Sequence, residues 1–583
     1  MFYLKNLFIM QIIKSVLKLI VFIFPVGAFA QTTYLPQGDK GYQFVDRLEI
    51  KQQYNTHLNF STLKPYSRKV IVQQAEFLDS ARQFTNDAVL AERFKDWKGL
   101  KLTKIDQYNL QSFLMNNTEY VSSDRNNFKS KTPVLKRFYL TKPNLLEVKT
   151  KDFFLVVNPM LSISLGNETN NSERLFLNTR GVSIRGMIAK KIGFYATITD
   201  NQERGPLFYQ KYVATNKAVP GAGFYKGFKN NGQDYFDARG YFTFNAAKYI
   251  DVQFGYDKNF IGNGYRSLFL SDWGNSHLFL KLNTKIWRFN YQNIFMELNP
   301  QFNKNGDSLL KRKYAAMHHL SINLTKWLNV GLFEGVIFGR VDHFDFQYLN
   351  PIIFYRHIEG TIGSPDNALA GLDFKANVAK KMQFYGQMLL DEFKLDQIKA
   401  NTGWWANKWA LQLGVKYIDA FGIPNLDIQL ESNRVRPFTY SHNSINSNYT
   451  HYNQPLAHPL GANFQEFIGI IKYQPAPKWY VNARVIAFKQ GLDSANGRNY
   501  GANPFNLPSI NRVGDYGYTL GSGRKATGLN GILQISYEWR ENLYFDITAQ
   551  YRNYQIANEA ATPNATIISA GIRLNVSRRE YDF

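Results

Sequence analysis

The chain contains no cysteine, which excludes a disulfide framework, thiolate zinc sites and a cysteine nucleophile together. Past the first thirty residues it has no stretch of about 18 consecutive apolar residues, so no helix is expected to span a bilayer. Acids are scarce relative to bases: 45 Asp and Glu stand against 69 Lys and Arg, a formal net charge of +24. Catalytic signatures are missing as well. GxSxG, HExxH and GxxxxGKS/T do not occur. Gly262-Asn263-Gly264 is a lone GxG that opens no helical pattern, which removes the argument for a nucleotide. His318 and His319 are adjacent in a strand pattern and point to opposite faces, so they cannot share a metal, and Asp391 with Glu392 fails as a carboxylate pair for the same reason. No enzyme activity, metal or cofactor is expected.

What is present is length and aromatic content. A chain of 583 residues suits several domains or one large barrel, and aromatics reach 16%, with 36 Tyr and 46 Phe. A basic, aromatic chain can suggest nucleic acid, but the first thirty residues argue for another compartment. Lys14 and Lys18 precede the apolar run from Leu19 to Val26, and Ala28-Phe29-Ala30 offers a small-x-small cleavage site before Gln31. Residues 1–30 are therefore expected to be a secretory signal, with Met10 an acceptable start. Its removal takes away three lysines and no acid, which lowers +24 to +21.

Residues 31–137 carry helical periodicity. Ser67 precedes a run with Ile71, Ala75 and Leu78 on one face, Leu90, Phe94 and Trp97 repeat that spacing, and Thr103 with Asp106 makes a capping-box-like start for a helix with Leu110, Phe113 and Leu114. A small helical domain, packed together or against something larger, is expected. From residue 138 to 583 the period is two: Ile192, Phe194, Ala196 and Ile198 alternate with Gly193, Tyr195, Thr197 and Thr199, and the segments at 372–378, 409–417, 426–431, 529–551 and 568–576 behave alike. A soluble sandwich has the same period. The unbroken length of this mode, the aromatics near strand ends and the aromatic Phe583 favour a transmembrane antiparallel β-barrel of about 16–18 strands in the outer membrane. Phe583 lies on the parity opposite to Val576, so residues 577–583 must hold a bulge or form a tail.

Residues 437–464 hold His442, His451 and His458, one third of the histidines. Their spacings of nine and seven do not place two ligands on one rigid element, so a metal centre is not expected. Tyr440, Tyr449 and Tyr452 beside Asn463 and the histidines have the composition of a sugar-contacting surface, and a loop that simply plugs the barrel explains the segment equally well.

The segments DRLEIK (46–51), NTRGVSIRGMIAKKIGFYATITDNQ (178–202), NFIGNGYRSLFLS (259–271), HHLSINLTKWLNVGLFEGVIF (318–338), YLNPIIFYR (348–356), YGQMLLDEF (385–393), RPFTYSHNS (436–444) and NYTHYNQPLAHPLGANF (448–464) resemble the Wzi-like capsule-assembly family, closest to its gliding-motility-associated RemB-type branch. The resemblance covers essentially the whole mature chain. It implies an outer-membrane barrel of about eighteen strands with a small periplasmic helical bundle, acting without catalysis to organise surface polysaccharide. Arg180, Arg185, Arg266, Arg356, Arg434 and Arg436 lie in these segments and could meet acidic sugars or lipid phosphates; pairing with Asp257, Asp272, Glu334 or Asp391 is the structural alternative for each. Expected partners are outer-membrane lipid and surface polysaccharide, with motility or secretion proteins as the second reading and no nucleic acid. A diffusion porin is a third, in which long loops over Arg204–Asp237 and Phe488–Asn530 line or close a pore.

Overall fold

The computed structural model describes residues 32–55, 57–83, 102–122, 125–301, 309–340, 343–352 and 354–583. The expected signal at 1–30 and the helical pattern at Leu90–Trp97 lie outside them. Eighteen antiparallel strands close into one barrel. The first six are β1 (Phe153–Glu168), β2 (Leu175–Ile188), β3 (Ile192–Arg204), β4 (Gly232–Ala247), β5 (Ile250–Asp257) and β6 (His277–Ile286). Next come β7 (Phe289–Leu298), β8 (Lys313–Asn323), β9 (Leu328–Phe338), β10 (Asn367–Val378), β11 (Met382–Glu392) and β12 (Lys408–Tyr417). The last six are β13 (Leu426–Val435), β14 (Phe464–Tyr473), β15 (Trp479–Leu492), β16 (Arg524–Arg540), β17 (Leu543–Ile556) and β18 (Ala565–Leu574). The seam joins β18 to β1, from Ile567 opposite Glu168 to Leu574 opposite Leu161. A short strand, Leu146–Lys149, continues it against Phe154–Val157.

The two faces of the wall settle what the period alone left open. Outward positions are apolar and exposed: Ile163 and Leu165, Ile192 and Ile198, Leu372, Leu413, Leu430, Ile547, Ile568 and Ile572. Inward positions are buried and largely polar: Thr197, Thr199 and Asn201, Asp373, Lys375 and Asn377, Gln412, Glu431, Asn433 and Gln550. An apolar outside around a polar inside is a membrane barrel, and closure pairs every strand edge that hydrocarbon would leave unsatisfied. Exposed Tyr249, Trp287, Trp327, Trp479 and Trp539 mark one interface at the end with the short turns.

The helical domain sits at that end, the one where outer-membrane barrels carry their short periplasmic turns. It comprises α1 (Gly41–Gln52), α2 (Arg68–Gln83) and α3 (Lys104–Met115). Ser67 Oγ accepts from Val70 N at 3.3 Å, and Thr103 forms a full capping box with Asp106. Phe44, Leu48, Ile71, Ala75, Leu78, Leu110, Phe113 and Leu114 make its core. Charge then fixes the domain to the wall. Arg47 joins Asp106 of α3 to Asp419 and Asp427 of the barrel, Lys40 meets Glu538 and Glu541 at 2.7 and 2.5 Å, and Glu119 meets Arg185 at 2.9 Å. Burial alone would raise the Asp106 carboxyl, but Arg47 and Lys51 hold it down to about 2.

Beyond Leu574 the chain leaves the wall and turns into the lumen, as a tail at 575–583. Arg579 and Tyr581 share the carboxylate of Glu203 at 3.0 and 2.6 Å, Arg578 reaches Asp546 at 2.9 Å, Glu580 pairs with Arg484 at 2.5 Å and Asp582 with Arg266 at 3.5 Å. The Phe583 ring packs against Tyr212 and Trp273, with centroids 5.0 and 5.7 Å away. The last wall strand thus ends at Leu574 and not at the terminal aromatic.

Candidate functional site at the extracellular mouth

At the end opposite the helical domain the connections are long, and several fold inward. Residues 258–276 and 436–463 meet inside the wall around Ile261, Leu268, Phe269, Tyr440, Tyr449, Leu456 and Phe464, against the inward faces of Phe279, Met317, Phe333 and Ile337. The upper lumen is therefore an apolar core, which the polar interior of a simple channel does not have. Phe269 and Phe333 stack with centroids 4.5 Å apart.

That core accounts for most of the histidine-rich segment. Tyr440 donates to Leu268 O at 2.8 Å and Tyr449 to Phe269 O at 2.6 Å. His451 accepts from Asn299 N at Nδ1 and faces Ser276 O at Nε2, both at 3.0 Å. Burial pushes its imidazole down to about 4. His458 faces Glu466 at 2.7 Å through Nε2 and accepts from Leu460 N through Nδ1. With both nitrogens of each ring occupied, neither is open to a metal, and among the described residues no cluster of His, Asp and Glu forms a metal cage. Asn463 is fully buried and ties its own loop to the end of β15 and to loop 493–523, donating to Gly491 O and Ser522 O at 2.7 and 2.8 Å and accepting from Gly521 N at 2.9 Å. His442 and Tyr452 are half-buried nearer the surface.

The arginines separate by face. Arg185 faces inward and holds the helical domain. Arg266 is buried at the centre of the lumen, between Asp582 and Glu466. Arg180 pairs with Asp200 at 3.2 Å on the outer surface, Arg434 is exposed at an outward position of β13, and Arg356 lies outside the wall beside Glu359. Their acids are thus Glu119, Asp582, Glu466, Asp200 and Glu359 rather than Asp257, Asp272 or Asp391; Glu334 is met by the backbone N–H of Arg356, at 3.0 Å, and not by its guanidinium.

Arg436 is different. It is half-buried, donates to the main-chain carbonyls of Trp404 and Tyr518 at 3.3 and 3.2 Å, and its Nε is buried without a partner. Burial pushes its guanidinium down. Around it lies an aromatic cluster that the sequence reading missed. Loop 393–407 zips against loop 493–523 through Gly517 N to Thr402 O, Tyr518 N to Gly403 O and Trp405 N to Asp515 O, each 2.9 Å. Gly403 has a φ of +71°, and a Cβ there would lie 2.7 Å from Tyr518 N, so only glycine lets the two loops touch. Trp405 is 5.7 Å from Phe438, Phe438 is 5.1 Å from Tyr518, and Trp404 is 6.2 Å from Trp405. Cations lie over the rings: Arg512 at 4.2 Å and Lys408 at 5.4 Å from Trp405, and Lys394 at 5.2 Å from Trp404. The signal available in sequence was the Trp404-Trp405 pair after a glycine, in a segment without strand period.

A large closed barrel with an apolar outer band, a periplasmic helical plug and inward-folded surface loops is an outer-membrane protein. Residues 238–566, more than half the chain, match the family described as capsule assembly protein Wzi, and the chain belongs to that family. It is similar to the solved structure of Wzi from Escherichia coli, described as a carbohydrate-binding β-barrel involved in group 1 capsule assembly. The TM-score is 0.54 at 14% identity, covering 94% of this chain and 100% of that one. OprD of Pseudomonas aeruginosa aligns with a TM-score of 0.40 at 10% identity over 72% of this chain and 94% of its own. OccAB2 of Acinetobacter baumannii aligns at 0.39 and 10% over 72% and 97%. No curated protein matches the chain in sequence.

Proposed function

We propose that this protein is a non-enzymatic outer-membrane barrel that binds surface polysaccharide at its extracellular mouth. The observation that carries the reading is the cluster of Trp404, Trp405, Phe438 and Tyr518 beside the carboxylate-free guanidinium of Arg436. Indole faces cover the apolar faces of sugar rings, while the half-buried Arg436, held by the carbonyls of Trp404 and Tyr518, places positive charge beside them for an acidic group. Family membership and the carbohydrate-binding description of the Escherichia coli relative support the same ligand class. Within this reading Arg436, His442 and Tyr452 remain ligand candidates, and Trp404, Trp405 and Arg512 join them. The lumen segments 258–276, 436–463 and 575–583, with the helical domain below them, speak against a diffusion porin.

Trp404→Ala should weaken binding to the co-purified surface polysaccharide by up to roughly tenfold, the about 0.5–1.5 kcal/mol that an aromatic face contributes beyond its buried area. Titration of both proteins, with heat-modifiable gel mobility to show the barrel intact, checks it. No binding of the parent protein to that polysaccharide or to a glycan array would overturn the proposal. The resemblance to the gliding-associated branch bears on cellular role. A deletion strain that loses surface polysaccharide but glides normally would place the protein in capsule retention, and the reverse would place it in motility.

A further inference from the structure

The described residues of the connection between β9 and β10 (339–340, 343–352 and 354–366) do not fold into the lumen as residues 258–276 and 436–463 do. They fold down over the outside of the wall. Phe344, Tyr348, Leu349, Tyr355, Ile358 and Ile362 pack on Phe295, Tyr314, Ala316, Val336 and Phe338. Those wall positions are outward ones, on the parity of the exposed Leu332 and Phe289. The flap descends from the level of Tyr314 and Phe338 to that of His318 and Glu334, four residues along the strands, or roughly 13 Å at about 3.3 Å per residue.

At its lower end the flap covers polar outward groups that hydrocarbon would otherwise meet. The Tyr355 ring covers His318 with centroids 3.9 Å apart, Glu334 accepts from Arg356 N, and Tyr291 donates to Pro351 O. The base of the flap is clamped by Arg340, which donates twice to Asp366 at 2.8 Å, and by Tyr348, which donates to the same carboxylate at 2.8 Å. A flap held down this firmly replaces the wall as the outer surface. Its own outer side presents three large apolar residues, Phe346, Ile352 and Phe354, which are 81%, 84% and 75% exposed, beside the exposed polar Gln347, Arg356 and His357.

We propose that this flap lies in the outer leaflet of the membrane, with Phe346, Ile352 and Phe354 among the acyl chains. The occupant follows from position, because the flap is continuous with the lipid-facing band and lies below the polar outer rim marked by Glu297 and Arg312. Charged or polar wall groups facing hydrocarbon cost several kcal/mol, and the flap hides them. The exposed Arg356, 70% open despite its pairing with Glu359, has the long stem that lets a guanidinium reach back to headgroup phosphates.

The absence of cysteine makes the test direct. Ile352→Cys in the full chain touches no packing, and it can carry a fluorophore after reconstitution into phosphatidylcholine vesicles. Leu372→Cys on the bare wall and Ser509→Cys on a surface loop serve as references. Emission at residue 352 should be lost to nitroxide-bearing acyl chains to the same extent as at 372, and resist aqueous iodide. Quenching by iodide as at 509 would put the flap in water and overturn the proposal. Protection from both quenchers would put a protein or a second copy there and overturn it equally.

Discussion

Glu49 of α1 and Lys375 of β10 are 2.8 Å apart, and neither has any exposed side chain. Lys375 also donates to Ser61 at 2.6 Å, whose environment belongs to the helical domain. Taking one partner from a buried pair strands the other charge, which costs about 3–5 kcal/mol, whereas replacing both with apolar groups is often neutral. Glu49→Gln should therefore loosen the helical domain, read as faster proteolysis of residues 32–122 while the barrel keeps its heat-modifiable mobility. Glu49→Met with Lys375→Met should restore most of the protection. If the double variant is as labile as the single one, the pair holds the domain by more than charge compensation. No sequence argument finds this pair, because it joins a helix to a strand more than three hundred residues away.

The strands were legible at the scale of elements because lipid imposes a strict period. Ile192 to Thr199 alternates in the sequence as it does in the wall, and the capping box at Thr103 appears as its residues predict. Loops were legible in composition but not in destination. Residues 437–464 look like a polar sugar-binding surface, yet Tyr440, Tyr449, His451 and His458 are buried, each hydrogen-bonding inside the protein. The clue lay in the facing strands: Ile294–Met296 and Gly335–Phe338 break alternation with consecutive apolar residues, as strands covered on both faces do. Burial of His451 has a measurable consequence. Its folded pKa of about 4 lies below the ordinary 6.5, so the unfolded segment takes up a proton first. The stability this residue contributes is complete above about pH 6.5 and is lost as pH falls towards about 4. Amide exchange in 436–463 should accelerate between pH 7 and pH 4.5 beyond its intrinsic pH dependence, and His451→Gln should remove that excess. Equal behaviour of the two proteins would refute the assignment.

At the scale of the whole molecule the excess of basic residues divides between three places. In the lumen Arg484, Arg578 and Arg579 each face a carboxylate, while Lys281 and Lys313 donate to neutral groups of the inward-folded loops. At the periplasmic rim Lys190, Lys191, Arg288, Lys326, Lys380 and Lys381 are exposed in the short turns, beside the aromatic interface, where lipid phosphates meet them. At the mouth Arg436 sits with the tryptophans, and Arg512, paired with Asp515 at 2.5 Å, lies over Trp405. An acidic polysaccharide should accordingly bind more weakly as salt rises, because the Debye length falls from ~10 Å at 0.1 M to ~3 Å at 1 M. A neutral glycan held by ring faces and amides should bind almost independently of salt. Arg436→Gln together with Arg512→Gln should flatten the salt slope for the acidic ligand and leave the neutral one unchanged. The periplasmic lysines supply the control: Lys380→Gln with Lys381→Gln removes as much charge from the far end of the barrel and should leave the slope intact. If the periplasmic pair lowers the slope as much as the mouth pair does, attraction comes from the net charge of the molecule and not from a site.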